Sequence, residues 1–285
     1  MSRFSAIDLS QLAAPQLIDG LDFETILAAI KADFRGRVAA AGLAYDVDGI
    51  ETDPVIVALE VAAYRELILR AMVNDKARSA LLAFATGSDL DHLAAPFGVV
   101  RMTGESDDRL RVRAQIAPEA FASAGPAGAY VFHALSVSTE IAAAAALSPA
   151  EGRVTVVLAG TAGTAVSDET LGLVADRLAE TDIKPLTDVV LVRRADVAAV
   201  PVEAILSIAR GPDPATIAAS AAAAVAAYFN RRYKVGAGIF RSGLIAALSV
   251  GGVDSVDLIE PQGDVLPGDT GIAVAGTVSI ETDIV

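Results

Sequence analysis

The sequence predicts an α+β protein: an N-terminal helical region followed by two small α/β sandwich-like domains with mixed or antiparallel sheets. Up to residue 138, apolar residues recur mostly at helical spacing. Beyond residue 140, β-rich segments bounded by turn residues alternate with helical segments. A chain of 285 residues, of which 53% are hydrophobic, can build a core in each of two or three domains.

Two capped helices dominate the predicted N-terminal region. Asp22 precedes the first helix, and the polar, acidic segment 46–53 separates it from the second. Asp53 opens the second helix, which is predicted over 54–85 because neither Gly nor Pro interrupts it after the first position. Helices this long in a small chain are typical of bundles, and Gly87 is predicted to end this one. A short helix then follows over 89–95.

The strands of the middle region begin with a predicted hairpin. The segment 153–158 is β-rich and follows the turn signal 148–152. Its partner is predicted to be 141–147, although the alanine run there has helical propensity. Short helices at 106–115 and 126–138 precede this hairpin, each with an N-terminal capping or turn signal.

The remaining elements complete two α/β units. They are a helix capped by Ser167, strands at 188–193 and 201–208 with a turn at 193–198, helices at 214–230 and 240–249, and strands at 255–260 and 271–280. A break at 211–214 (GPDP) is predicted to separate the units. The predicted domains are therefore 1–105, 106–210 and 211–285. The glycine-containing breaks at 87–104 and 211–214 are candidate hinges.

Charge and composition exclude several classes of function. The 22 basic and 36 acidic residues give a net charge of −14, which argues against binding nucleic acid or anionic lipid. Cysteine is absent, so disulfides, thiolate metal ligands and a cysteine nucleophile are excluded. The apolar runs at 141–147 and 221–229 are shorter than the about 18 residues that a membrane span needs. No membrane association is predicted.

The sequence gives no pattern of metal ligands. His92 and His133 are its two histidines, and a zinc site needs three or four ligands. The acidic loop 46–53 (DVDGIETD) resembles a calcium loop in acidity alone, because Gly49 falls at position four and no glutamate occupies position twelve. We predict no metal site and no cofactor.

Catalytic patterns are equally missing from the sequence. The glycines of 160–164 (GTAGT) follow a strand and precede a helix, but the lysine of a phosphate-binding loop is missing, so a tight turn is expected. Arg109 and Arg113 share a helix face and are interpreted as salt-bridge partners within this acidic chain or to another protein. An enzyme would show a pocket with a perturbed ionisable group in the α/β half. The sequence predicts that the chain is not an enzyme.

Several strings together identify the chain as similar to the baseplate assembly protein J family of contractile-tailed bacteriophages. These strings are 21–27 (LDFETIL), 63–67 (AYREL), 87–91 (GSDLD), 109–111 (RLR), 124–130 (AGPAGAY) with His133, 184–190 (KPLTDVV), 211–212 (GP), 238–248 (GIFRSGLIAAL) and 252–253 (GV). Each is short, but their order and spacing over residues 8 to 261 make the resemblance specific.

The resemblance implies a structural protein of the baseplate wedge in the virion tail, assembled in the bacterial cytoplasm. It implies that two copies combine with one copy of a tail protein I-like partner, largely through a helical bundle. Six such wedges would close a ring around the hub and contact a sheath-linking baseplate protein. The alternative is a scaffold in another contractile injection machine, such as a tail-like bacteriocin.

The N-terminal helices are where we expect the partner interface. The predicted interface residues are Phe23, Ile26, Ile30, Leu59 and Tyr64. The alternative is that these apolar side chains form a core within the chain itself, and helical spacing favours neither interpretation.

Overall fold

The computed structural model describes residues 7, 9, 12–18, 21–46, 52–122, 125–185, 187–211 and 213–284. It divides into two compact units, Ile7–Arg101 and a second unit that begins at Met102. The first is helical, and the second contains two three-stranded mixed sheets with helices, which confirms the predicted α+β class. Among the described residues, no helix has both the length and the apolar sequence that a membrane span requires.

The described part of the N-terminal unit, Ile7–Arg101, is helical. Its helices are α1 (Phe23–Ala40), α2 (Pro54–Ser79) and α3 (Gly87–Ala94). Asp22 caps α1 as predicted, because its Oδ2 atom accepts a hydrogen bond from the Thr25 amide at 2.7 Å. Asp53 caps α2 in the same way, through the Val55 amide at 2.8 Å. Both helices therefore begin where the sequence predicts.

The second helix ends earlier than predicted. Instead of spanning 54–85, α2 ends at Ser79. The Leu81 carbonyl accepts a hydrogen bond from the Ala85 amide at 2.9 Å, in a turn that buries the Ala85 side chain. Tertiary burial ends the helix here, since no breaker residue does. Gly87, predicted to end this helix, is instead the first residue of α3.

The first module of the second unit, called the central module, packs helices against a sheet. Its helices are α4 (Asp107–Ile116), α5 (Ala127–Leu135) and α6 (Asp168–Ala179), and its strands are β1 (Ile141–Ala150), β2 (Arg153–Gly160) and β3 (Val189–Arg194). Strand β2 lies in the centre, antiparallel to β1 and parallel to β3. Tyr130, Val156, Leu158 and Leu178 form part of its buried core.

The alanine run of β1 forms a strand, as the hairpin interpretation predicted. Its residues pair with β2 in the register Ala144–Leu158 and Ala146–Val156. Helix propensity is a small term per residue, and pairing with the strand that follows the turn outweighs it. Burial of Ile141 at the start of β1 adds to this preference, because the side chain enters the core.

The remaining residues form the C-terminal module. Its strands are β4 (Asp196–Ile208), β5 (Val253–Glu260) and β6 (Gly271–Ile284), and its helices are α7 (Pro214–Arg231) and α8 (Arg241–Leu248). Strand β4 lies in the centre, antiparallel to β5 and parallel to β6. Leu206, Val225, Leu244 and Leu248 lie in the core of this module.

The division between the two sheets differs from the expected boundary at residue 210. Strand β4 begins at Asp196, with only Ala195 between it and β3, and pairs with β6 from Asp196 onward. The predicted turn over 193–198 is therefore wrong, and the sheets divide at Ala195. The sequence did not predict the first half of β4 as a strand, because Asp196 and the alanines that follow it are weak strand formers. The break at 211–214 joins β4 to α7 inside one module, so it does not separate two domains.

A tyrosine joins the two modules of the second unit. In the central module, segment 160–164 is a tight turn, as predicted, and this turn faces Tyr233 of the C-terminal module. The Tyr233 hydroxyl accepts a hydrogen bond from the Gly163 amide at 2.8 Å and donates one to the Gly160 carbonyl. A Cβ atom at Gly163 would lie 2.9 Å from Cγ1 of Val274, and its φ is +78°. Only glycine fits this close approach.

Candidate functional site

One side of α2 is a broad, exposed apolar surface. We call it the α2 face. Its members are Val57, Val61, Tyr64, Ile68, Leu69, Met72 and Val73. Tyr64 and Val61 are each 56% exposed. At 100° per residue, these positions cover roughly half of the helix circumference, which is wider than the seam of a single helix pair. A surface of this kind is typical of a site for other helices.

The start of α2 is held by a hydrogen-bonded aspartate. Besides capping Val55, Asp53 accepts a hydrogen bond from the Tyr45 hydroxyl at 2.6 Å. The hydrogen bond from Tyr45, with that from the Val55 amide, lowers the pKa of the Asp53 carboxyl. Pro54 occupies the first helical position, where its missing N–H has no cost. These contacts fix where the α2 face begins.

The far end of α2 is tied to the N-terminal segment by a buried asparagine that sequence reasoning missed. Oδ1 of Asn74 accepts hydrogen bonds from the amides of Leu17 and Ile18, both at 3.0 Å. Its Nδ2 atom donates to the Ile18 carbonyl at 2.9 Å. Asn74 is 2% exposed, so its amide replaces the water that those backbone groups have lost. An asparagine among apolar helix positions was the one available signal.

Four of the five predicted interface residues lie on the side of α2 and α1 that packs within the chain. Ile26 is buried between the two helices, and Phe23, Ile30 and Leu59 pack around it. Tyr64 is outside this core and lies exposed on the α2 face. The structure thus brings four of them together as a core of this unit, and a partner interface at these positions stays a prediction. Val61 and Ile68, next to Tyr64 on the exposed side, were not singled out.

The N-terminal unit leaves more large apolar side chains exposed than it buries among its described residues. Ile26, Leu27, Ile56, Leu90 and Val99 are the large apolar side chains buried there. The α2 face alone has more members than this group. In the second unit the balance is reversed. Exposed patches of this size mark interaction sites on soluble proteins.

Neither histidine lies in a metal-binding group. His92 is exposed on α3, and His133, on α5, is half-buried with its ring edge-on to Phe132. Burial and the charge of Arg177 lower the pKa of His133. Among the described residues, no three His, Asp or Glu side chains are grouped as metal ligands would be. Residues 47–51 of the acidic loop lie outside the described residues.

Two arginines of α4 form a buried salt-bridge cluster with Glu105, and the salt-bridge interpretation of Arg109 and Arg113 is confirmed. Both guanidinium groups contact Glu105, and the Arg113 bond measures 2.7 Å. Arg109 also donates to the carbonyls of Ile141 at 3.1 Å and Ser138 at 2.6 Å. The cluster therefore attaches α4 to the start of β1. Sequence reasoning missed Glu105, which lies just outside the helix.

A pocket of about 190 Å³ lies beside the start of α5 and the β1–β2 turn. Ligand sites are usually larger, at roughly 300–1,000 Å³. The Tyr130 hydroxyl at its wall donates to Asp188 at 2.7 Å, and burial raises the pKa of that hydroxyl. A tyrosine bound to a carboxylate in this way is a packing contact. The arrangement does not supply a nucleophile with an adjacent base.

Comparison with known proteins assigns the family. Models of the baseplate J-like N-terminal, central and C-terminal domains match residues 51–108, 122–194 and 200–281. Baseplate protein J of Escherichia phage P2 is 34% identical over 287 residues, an alignment that covers 93% of each chain. The chain belongs to the baseplate J family. It therefore has a structural role in a bacteriophage tail baseplate.

The baseplate J domain matches follow the modules of the structure. The central match ends at residue 194, the last residue of β3, and the C-terminal match begins at residue 200, inside β4. Both agree with a division near Ala195. The N-terminal match over 51–108 contains the whole of α2 and hence the α2 face. The exposed surface is thus part of a baseplate J domain.

Proposed function

We propose that this chain is a wedge component of a contractile-tail baseplate, without enzymatic activity. Two copies assemble with one copy of a tail protein I-like partner, and six such wedges close into a ring around the central hub. A sheath-linking baseplate protein is the further partner. Assembly takes place in the host cytoplasm, and the finished protein lies in the tail baseplate of the virion.

The α2 face in a baseplate J domain is the observation that supports this proposal. Its seven large side chains are each 38–59% exposed, and contiguous apolar patches of this kind mark interaction sites on soluble proteins. A helix bundle completed by other chains would bury it, and burial contributes about 25 cal/mol per Å². The α1–α2 core is small, since its buried members are Ile26, Leu27 and Ala63. It therefore leaves the α2 face uncovered and available to another chain.

The first experiment is co-expression of the chain with the product of the adjacent tail gene, followed by light scattering. We expect a complex with the mass of two copies of this chain and one partner. Such interfaces typically bury about 2,000 Å² or more. A chain that stays monomeric in the presence of its neighbour would contradict the proposal.

A matched pair of substitutions locates the interface. Val57→Glu on α2 and Val112→Glu on α4 both alter a helical valine that is 44% exposed. Glutamate in the first turns of α2 favours the helix, so Val57→Glu should leave the fold intact. We expect Val57→Glu to abolish the complex and Val112→Glu to leave its mass unchanged. Equal masses for the two variants would place the interface elsewhere.

A further inference from the structure

We propose that the contact between the turn 160–164 and Tyr233 opens and closes, and that it sets the angle between the central and C-terminal modules. In the docked state, which this structure shows, the turn is bound to Tyr233. In the released state the modules rotate about Ala195. The inference goes beyond the proposed function and does not depend on it, because both modules belong to one chain. Two module angles would let the chain meet other proteins in two shapes.

The C-terminal module holds Tyr233 in place to receive the turn. Tyr233 lies two residues beyond α7, and its amide donates to the Asn230 carbonyl at 3.2 Å. Three residues later, the Gly236 amide donates to the carbonyl of Gly271, the first residue of β6, at 2.7 Å. The segment that contains the tyrosine is therefore bound at both ends within its own module.

The turn fits the C-terminal module in one specific position. The Tyr233 hydroxyl donates to the Gly160 carbonyl and accepts from the Gly163 amide at 2.8 Å. A Cβ atom at Gly163 would lie 2.9 Å from Val274 and 3.2 Å from Val197, so the backbone approaches β6 and β4 closely. A shift of about 1 Å would take the Gly163 hydrogen bond beyond its usual range. The contact is therefore either formed or broken, with little between.

Docking holds one alanine of the turn in a strained conformation. Ala162 has φ +52° and ψ +32°, in the left-handed region, and among the described residues it is the one non-glycine residue with a positive φ. This region is unfavourable for alanine, because its Cβ atom comes too close to the following carbonyl oxygen. The contacts of Gly160 and Gly163 with Tyr233 impose the conformation, so release of the turn relieves the strain.

The apolar cluster between the modules is small, so it does not prevent release. Its buried side chains are Ala143 and Ala159 of the central module and Ile272 of the C-terminal module. Two of the three are alanines, whereas the core of each module contains many large side chains. Motion between packed modules is expected unless their interface is large and hydrophobic. This interface should therefore open before either core unfolds.

Ala195 is suited to be the pivot. Its amide donates to the Leu158 carbonyl of the central sheet at 2.8 Å. The next amide, that of Asp196, donates to the Thr270 carbonyl of the C-terminal module at 3.1 Å. The backbone thus passes from the hydrogen bonds of one module to those of the other between two neighbouring residues. Rotation about the bonds between them changes the module angle and leaves both sheets intact.

Distances between two spin labels on the full-length chain test the proposal, because the chain has no cysteine of its own. Asp176→Cys on α6 and Ala226→Cys on α7 place one label in each module, at exposed helical positions. We expect one main distance, that of the docked state. Tyr233→Phe removes the hydroxyl that binds the turn. It should add a second distance and raise the ratio of released to docked chains about tenfold.

Tyr228→Phe is the matched control for the loss of a tyrosine hydroxyl. The Tyr228 hydroxyl accepts a hydrogen bond from the Phe240 amide at 3.0 Å, entirely within the C-terminal module. We expect this variant to keep the distance distribution of the original chain. A Tyr233→Phe chain with the same distribution as Tyr228→Phe would refute the proposal, because the modules would then stay docked without the contact.

The strained alanine gives a second readout in the opposite direction, which a general loss of stability would not produce. Glycine adopts the left-handed conformation freely, so Ala162→Gly in the Tyr233→Phe chain should lower the released-to-docked ratio about fivefold. Ala165→Gly is the control, an exposed alanine of the same loop whose φ is not positive, and it should leave the ratio unchanged. Equal ratios for the two glycine variants, or a higher ratio for Ala162→Gly, would overturn the strained docked state.

Discussion

At the scale of single residues, one carboxylate organises the helix α4. Glu105 is 6% exposed and lies against the guanidinium groups of Arg109 and Arg113. It also accepts a hydrogen bond from the Met102 amide at 3.0 Å. The two cations depend on this carboxylate together, because removing the anion takes away the negative charge that both buried guanidinium groups share.

We therefore expect Glu105→Gln to be among the more destabilising conservative substitutions in the chain. Its loss of stability should be about 2–4 kcal/mol, since a neutral amide replaces the buried anion. Denaturant unfolding of the second unit measures this. Glu151→Gln, at an exposed turn residue, is the control, and we expect it to change stability by less than about 0.5 kcal/mol. Equal effects of the two substitutions would contradict this role.

The same carboxylate makes stability depend on pH. Burial raises the pKa of Glu105, but the Met102 amide and the charges of Arg113 and Arg109 outweigh burial, so the pKa lies below its ordinary value of 4.5. A carboxyl with a lowered folded pKa stabilises the fold above its unfolded pKa, and this contribution is lost as the pH falls through the folded pKa. We expect the melting temperature to fall below about pH 4.5, more steeply in the original chain than in Glu105→Gln. Parallel pH profiles would contradict this.

At the scale of elements, α2 depends on Asn74 for its contact with the N-terminal segment. Asn74→Ala would leave the amides of Leu17 and Ile18 without their acceptor, which costs about 1–3 kcal/mol where water cannot enter. We expect amide hydrogen exchange at Leu17 and Ile18 to accelerate by one to two orders of magnitude. Exchange in the middle of α2 should stay unchanged. Slow exchange at Leu17 in the variant would show that another contact holds this segment.

Sequence reasoning predicted elements best where caps and turns are explicit. Asp22, Asp53, Ser106 and Ser167 each cap the helix that the sequence assigned to them. Such signals are local, because side chain and amide are at most three residues apart. The early end of α2 and the early start of β4 depend on contacts distant in sequence. Propensity contains no information about those contacts.

The candidate surface could be predicted only in part. The long helix was foreseen, but α2 is apolar on two sides, with Leu59 and Leu67 on one and Val61 and Ile68 on the other. Periodicity cannot state which side packs within the chain, since either would pair with α1. The side that contains Ala63 packs against α1, because this small, fully buried residue allows the two helices to approach closely.

At the scale of the whole molecule, the two modules of the second unit meet closely at Gly163, beside the Tyr233 contact. Gly163→Ala would place a Cβ atom 2.9 Å from Cγ1 of Val274 at a φ of +78°. We expect a loss of about 1–3 kcal/mol, from strain and from separation of the modules. Gly172→Ala in α6 is the control, since nothing lies within 4 Å of its added methyl group. It should stabilise by about 0.5–1 kcal/mol. Calorimetry measures both, and a Gly163→Ala chain as stable as the original would refute the close approach.

The direct passage from β3 into β4 also has a mechanical consequence. Only Ala195 separates the two strands, so tension applied to one sheet enters the other without a slack linker. Within the C-terminal module, β4 and β6 run parallel from the Asp196–Gly271 pair to the Ile208–Ile284 pair. A lengthwise pull on these strands in opposite directions acts in shear and loads their hydrogen bonds together, whereas peeling would break them one at a time. In this geometry the β4–β6 pair resists a lengthwise pull better than a peeling force.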